Sequence, residues 1–253
     1  MGRTPYAVTD TPADDLKPSF RSDVSVELVK HSAADSDVLW AARVSTAGEQ
    51  SLDELKKDPE RSKGLINYLM RDRHGSPFEH NSMTFFISAP IFVFREFMRH
   101  RVGWSYNEES GRYRELEPVF YVPDESRKLV QEGRPGKYRF VEGTQAQQEL
   151  TGRVMEDAYV HAYEAYQEML AAGVAREVAR SVLPVGLFSS MYATCNARSL
   201  MHFLGLRTQH ELAKVPSFPQ REIEMVGEKM EAEWARLMPL TYAAFNANGR
   251  VAP

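Results

Sequence analysis

The apolar segments of this chain that repeat every second residue are few, short and far apart, and that spacing governs what it can build. Val24, Val26 and Leu28 alternate with Ser25, Glu27 and Val29. Ser82 to Ser88 is rich in Thr and Phe, Ser189 to Cys195 is a third such run, and Val119 to Val122 a short fourth. These read as strands. Between them lie longer stretches with helical spacing. Asp35 or Ser36 caps a helix carrying Val38, Leu39, Ala42 and Arg43, and Pro59 opens another through Leu65, Tyr68 and Leu69 to about Arg73. His74-Gly75-Ser76-Pro77 stops it, and Pro90 starts a helix through Phe94, Phe97 and Met98 to about His100. Gln145 to Leu170 is a long helical pattern ended by Gly173, residues 174–183 a short helix stopped by Pro184, and Ala197–Leu206 and Phe218–Met238 two more.

Strands here do not alternate with helices as a parallel sheet demands. The expected fold is α+β: a small, mostly antiparallel sheet with several long helices, in a single domain over residues 23–253. Residues 1–22 are poor in apolar side chains and read as a mobile arm. Gly103 to Arg112 carries Gly, Ser and Asn at short intervals and reads as a loop, and Pro123 to Thr144 as a surface excursion. Trp40 and Trp234 are expected in the core, while Trp104 receives no assignment, with a stack on a ligand left open as one role.

Composition removes several function classes. With 253 residues and 43% hydrophobic content the chain can bury a sizeable core. A formal net charge of −4 gives no general footprint for a polyanion, so any phosphate site must be a local cluster of Arg or Lys. Cys195 is the one cysteine, which excludes an internal disulfide and a CxxC metal site and fits a reducing compartment. The first twenty residues lack a signal-peptide pattern, and no apolar run approaches the roughly 18 to 20 residues that cross a bilayer. The expectation is a cytoplasmic protein that uses no membrane.

The densest chemistry lies at Arg99-His100-Arg101, followed by Trp104-Ser105-Tyr106-Asn107-Glu108-Glu109-Ser110-Gly111-Arg112-Tyr113. The cations alone are explained by a helix C-terminus, which favours positive charge by roughly 0.3 to 1 kcal/mol. The following segment adds hydroxyls, a carboxamide, backbone amides and a guanidinium fork, a set suited to a phosphate. Arg198 and His202 are four apart, as are Arg176 and Arg180, and share helical faces; a solvated polar stripe accounts for each pair taken by itself. His74, Glu79 and His80 lack the one-face spacing of a zinc helix, and Pro77 breaks any helix there, so no metal site is expected.

Arg-His-Arg, a spacer, then Ser-Gly-Arg-Tyr resembles the signature of the flavin-dependent thymidylate synthases. Further elements follow in family order: Ala42-Arg43-Val44-Ser45, His74-Gly75-Ser76-Pro77-Phe78-Glu79-His80, Arg176-Glu177-Val178-Ala179-Arg180 with Leu183-Pro184, and Asn196 to Phe203 with Leu206-Arg207. The spacer Val102 to Glu109 has eight residues where the common form has seven. The resemblance implies a homotetramer with active sites where subunits meet. It also implies FAD as bound cofactor, NADPH as reductant, methylenetetrahydrofolate as one-carbon donor and dUMP as acceptor. Carried over by position, the flavin contacts are Ser76, Arg99, His100, Arg101, Glu108, Asn196, Ala197, Arg198 and His202. The deoxyuridylate contacts are Glu96, Arg99, Glu108, Ser110, Gly111, Arg112, Arg180 and Arg207, with Arg207 as the catalytic charge beside the pyrimidine. Two positions depart from the family: Glu96 stands for Gln, and His202 for Asn.

Residue chemistry agrees with these roles. Arg112 and Arg180 can fork a phosphate, and a fixed charge at Arg207 stabilises negative charge developing on a ring. Cys195, in an apolar strand, is expected to be inert, and Ser110 lacks a recognisable base and is expected to position ligand. Competing readings are another flavin-bound nucleotide modification, or a nucleic-acid module using Arg99–Arg101 and Arg112–Arg114. The acidic balance argues against the second. A dehydrogenase lacks its GxGxxG turn here.

Overall fold

The structure is a computed structural model that describes residues 17–47, 59–134 and 137–253. In chain order the elements are β1 (Ser19–Arg21), β2 (Ser25–Ser32), α1 (Asp35–Ala47), α2 (Pro59–Arg71), a 3-10 turn (Ser76–Glu79), β3 (Ser82–Pro90), α3 (Ile91–Phe97), β4 (Trp104–Glu108), β5 (Val119–Tyr121), β6 (Val130–Arg134) and β7 (Lys137–Val141). Then come α4 (Gln145–Ala171), α5 (Arg176–Ala179), a second 3-10 turn (Arg180–Val182), β8 (Phe188–Cys195), α6 (Ala197–Arg207), α7 (Arg221–Leu237) and α8 (Pro239–Ala247). The described residues divide into two compact units, one within residues 17–22 and 110–188, the other within residues 23–109 and 189–253.

The unit of residues 23–109 and 189–253 is built on a four-stranded sheet in the order β2-β3-β8-β4. β2 pairs with β3, and β4 with β8, antiparallel. Alternate residues Met83, Phe85 and Ile87 of β3 and Met191, Ala193 and Cys195 of β8 enter one core with Phe97, Trp104, Phe203 and Trp234. That is the period-two rule at work, with one face burying apolar side chains. The other face carries the hydroxyl pair Thr84–Thr194 at 2.9 Å. Side chains hold the starts of two of its helices. Asn196 caps α6 by accepting from the Ser199 amide at 2.9 Å. Asp35 accepts from the amides of Leu240 and Thr241 at 2.9 and 2.8 Å and from the Thr241 hydroxyl at 2.6 Å, so the first residue of α1 caps α8.

The other unit pairs β1 with β5 in parallel and β6 with β7 as a hairpin, and carries α4. A capping box at Thr144 and Gln147 starts α4, and Gly173 at φ 81° ends it. Tyr159, Tyr163 and Tyr166 of α4 are buried, with Tyr159 stacked on Phe120 at 4.9 Å.

Several expectations change. The segment expected as a loop from Gly103 to Arg112 contains β4: Trp104 pairs with Cys195 and Glu108 with Met191. Its alternation of Trp104 and Tyr106 against Ser105 and Asn107 is a strand pattern that the small polar residues mask. The excursion at 123–144 folds as the β6–β7 hairpin, because its strands satisfy each other's backbone groups. Helix α8 was not anticipated; its start signal is Pro239 at the first turn together with a capping carboxylate 204 residues earlier in the chain. Of the expected arm, residues 1–16 lie outside the described residues, while Ser19–Arg21 is β1. Trp234 is fully buried as expected, but Trp40 is 43% exposed and meets the His80 ring edge-on. No described helix is long and apolar enough to cross a membrane.

Asp35→Ala leaves the amides at the start of α8 without their shared acceptor. The expected loss is on the order of 2 kcal/mol of unfolding free energy, read as a lowered midpoint in urea; an unchanged midpoint contradicts the cap.

Candidate functional site

Arg207, at the last turn of α6, lies at the centre of the first cluster. Its guanidinium pairs with the Glu96 carboxylate, and its Nε–H donates to His100 Nε2 at 3.1 Å. Both partners are partly shielded, at 16% and 23% side-chain exposure for Arg207 and Glu96. Burial pushes the Glu96 carboxyl up, which Arg207 opposes and Glu222 reinforces. Burial, then Arg207 and His202, push His100 down to about 4. An arginine N–H can only donate, so His100 Nε2 must carry its lone pair; the neutral ring then holds its proton on Nδ1.

The Arg-His-Arg segment is fixed from the sheet edge. The Tyr106 hydroxyl, on β4, points at the carbonyls of Phe97 and His100, at 3.0 and 2.9 Å, at the end of α3. Carbonyls at a helix end lack intrahelical partners, and a phenol supplies one. Beneath them Trp104 stacks on Tyr106 at 5.7 Å, Phe97 on Phe203 at 4.7 Å, and His100 meets Phe203 at 4.9 Å. Trp104 is 9% exposed, so it is a core residue rather than a stacking surface for ligand. Arg99 and Arg101 flank this anchor and are exposed.

At the other end of α6, the Arg198 Nη1–H donates to Glu79 Oε1 at 2.5 Å and its Nε–H to the Pro253 backbone oxygen at 2.7 Å. A Cβ on Gly75 would lie 2.5 Å from Arg198 Cζ, so the missing side chain seats the guanidinium over the Gly75 backbone, next to the exposed Ser76. Burial, Arg198 and Arg73 push His202 below its ordinary value. Asn196 spends its carbonyl oxygen on the cap, leaving its amide as donor, and the Ala197 N–H goes to Asn81 Oδ1 at 2.8 Å. Gly103, at φ 70°, would place a Cβ 2.1 Å from Ser199 Oγ, so the turn before β4 and the start of α6 demand glycine there. Glu108 accepts from the Ser189 hydroxyl at 2.8 Å.

The second cluster belongs to the other unit. The Ser110 carbonyl accepts from the amides of Tyr113 and Arg114 at 3.0 and 3.3 Å, closing a turn. Gly111 is buried, and a Cβ there would lie 3.2 Å from Arg180 Cδ. Ser110, Gly111, Arg112 and Arg180 are thus brought together. Arg112 pairs with Glu177 at 2.6 Å, with both side chains more than half exposed. Such a pair contributes about 0 to 1 kcal/mol, so the guanidinium is readily exchanged to an anion.

Sequence reasoning missed Tyr106, Asn81, Glu79 and Arg73 as residues that hold the site. Asn81 stands one residue past the motif His74–His80, and Tyr106 inside the Arg-His-Arg segment's own continuation; both signals were adjacent to motifs already singled out. Cys195 is 2% exposed and burial pushes its thiol up, against any role as a thiolate.

A family model described as "Thymidylate synthase complementing protein" matches residues 27–240. The flavin-dependent thymidylate synthase of Streptomyces avermitilis is 96% identical over 246 residues, covering 97% of this chain and 100% of that protein. The flavin-dependent thymidylate synthase of Tropheryma whipplei is 58% identical over 240 residues, 94% of this chain and 98% of that protein. A crystal structure of the UMP/dUMP methylase PolB from Streptomyces cacaoi bound with 5-Br dUMP superposes with a TM-score of 0.87 at 58% identity, covering 92% of this chain and 99% of that one.

Because His100 titrates near pH 4 in the folded chain and near 6.5 unfolded, the unfolded state binds the extra proton between those values. Stability therefore falls as pH drops through that window. In an NMR titration His100 stays neutral down to below pH 5; a midpoint above 6 contradicts the geometry.

Proposed function

This chain belongs to the flavin-dependent thymidylate synthases, and from that membership we propose that it methylates dUMP to dTMP, with methylenetetrahydrofolate as one-carbon donor and bound FAD, reduced by NADPH, as hydride source. The observation that carries the reading is Arg207: a guanidinium oriented by Glu96 and by a neutral His100, at the end of a helix whose start carries a second guanidinium, Arg198.

The residues present fit a flavin. The Gly75 cradle, the Arg198 guanidinium, the donor amide of Asn196, the Ser76 hydroxyl and the exposed Arg99 and Arg101 form a donor-rich set suited to a diphosphate and a carbonyl-bearing ring. His100, Glu108, Ala197 and His202 complete the proposed contacts. His202, kept largely neutral by its surroundings, offers a donor and an acceptor where a carboxamide would also offer both. When bound, FAD supplies the hydride that completes the methyl group.

Ser110, Gly111, Arg112 and Arg180 hold the nucleotide phosphate, with Arg112 released from Glu177. Arg99 and Glu108 also contact the nucleotide. Arg207 presents its charge to the pyrimidine, where negative charge builds during methylation. Glu96 keeps that charge in place and itself faces the nucleotide as an acceptor. Thiol addition is not required, since Cys195 is sealed in the core. The active assembly is a homotetramer with sites where subunits meet, acting in the cytoplasm. PolB, described as acting on UMP as well as dUMP, favours UMP as a second acceptor on the same scaffold.

Arg207→Ala is expected to retain FAD, read from flavin absorbance, while dTMP formation from dUMP falls by roughly a hundredfold or more. Turnover equal to the parent protein sinks the role of Arg207. Running UMP beside dUMP in that assay measures the second acceptor. Cys195→Ala keeps turnover; a folded but inactive variant shows that the thiol takes part.

A further inference from the structure

Among the described residues, two other than glycine have positive φ: Arg73 at 65° and Arg250 at 55°. Left-handed backbone costs a residue with a side chain about 1 kcal/mol or more and persists where the surroundings over-determine it. Both arginines hold the same short segment. Arg250 is 3% exposed, paired with Glu231 at 2.6 and 2.8 Å and bonded to Asn246 and Thr208 at 2.8 and 3.1 Å. It anchors the start of the segment. One guanidinium nitrogen of Arg73 donates to the carbonyls of Val251 and Ala252, both at 2.8 Å. The next backbone oxygen, that of Pro253, accepts the Nε–H of Arg198 at 2.7 Å.

Three successive backbone oxygens therefore accept from two arginines. Arg198 is gripped on its other side by Glu79 and seated against Gly75. These bonds use two of its five N–H groups and leave three. Arg73 and Arg198 both push His202 down, so the two cations share its neighbourhood.

We propose that Arg73 and the segment Arg250–Pro253 form a strap that positions the Arg198 guanidinium for FAD. Arg73 is a positioning residue: it fixes the backbone of Val251 and Ala252, which presents the Pro253 backbone oxygen to Arg198. The proposal rests on the reading of Arg198 as a flavin contact. It adds that the orientation of this contact is set by residues that never touch the cofactor. An arginine left to rotate must be ordered when FAD binds, and that cost appears as weaker binding.

The test measures FAD affinity of the apoprotein by flavin fluorescence, with thermal melting in parallel, for Arg73→Gly, deletion of Val251–Pro253, Arg198→Ala, and Arg73→Gly combined with Arg198→Ala. Glycine accepts the left-handed backbone at position 73, so that variant keeps the turn even if the deletion fails to fold. The strap predicts about a tenfold rise in Kd for Arg73→Gly, the size of losing an oriented bond to a charged group. It also predicts no further loss when Arg73→Gly is added to Arg198→Ala. Loss in Arg198→Ala with parental affinity in Arg73→Gly overturns the strap and leaves the flavin reading standing. Additive losses in the double variant overturn it too, since Arg73 would then act elsewhere. Parental affinity in Arg198→Ala removes the flavin contact and the strap together.

Discussion

A guanidinium set below the surface must be neutralised without being used up, and the pairing of Arg207 with Glu96 and His100 meets that demand. Removing a charge from water is costly unless partners replace the lost hydration. Glu96 supplies the countercharge, and His100 supplies an uncharged acceptor. A protonated His100 would repel Arg207 and lose the lone pair that receives its N–H, so the ring must stay neutral. The rest of the unit follows from that need. His100 has to be held, and Phe203 and the Phe97–Trp104–Tyr106 cluster hold it. Tyr106 reaches its position because β4 pairs with β8 at the sheet edge, and Gly103 makes the turn into that strand possible.

The two ends of α6 divide the labour. Arg207 is tightly engaged at one end, whereas the ion pairs of Arg112 and Arg198 lie open to solvent. Arg112 with Glu177, and Arg198 with Glu79, are substantially exposed pairs of small net worth. They keep guanidinium groups from collapsing onto other carboxylates, and they yield to phosphate or flavin at little cost. Arg198 differs from Arg112 in having the Pro253 backbone oxygen as its second partner, which fixes its direction.

Much of this was legible in the chain, and the rest was hidden for identifiable reasons. The strands at β2, β3 and β8 show as alternating apolar runs, and α4 shows through its long helical spacing and its stop at Gly173. β4 was concealed because its outward residues are Ser and Asn, which serve turns as readily as strand edges. The cap of α8 by Asp35 spans most of the chain, so no local pattern could reveal it. Site residues carried by motif are present in two clusters, one in each unit. Tyr106, Asn81 and Arg73, which hold those residues, act through bonds to backbone carbonyls and amides, and such bonds leave little trace in composition.

The most direct test of the account is the absorbance spectrum of the purified protein, before and after NADPH is added without oxygen. The account predicts the bands of oxidised flavin, or their appearance after reconstitution with FAD, and bleaching by NADPH. A colourless protein that takes up no FAD contradicts it.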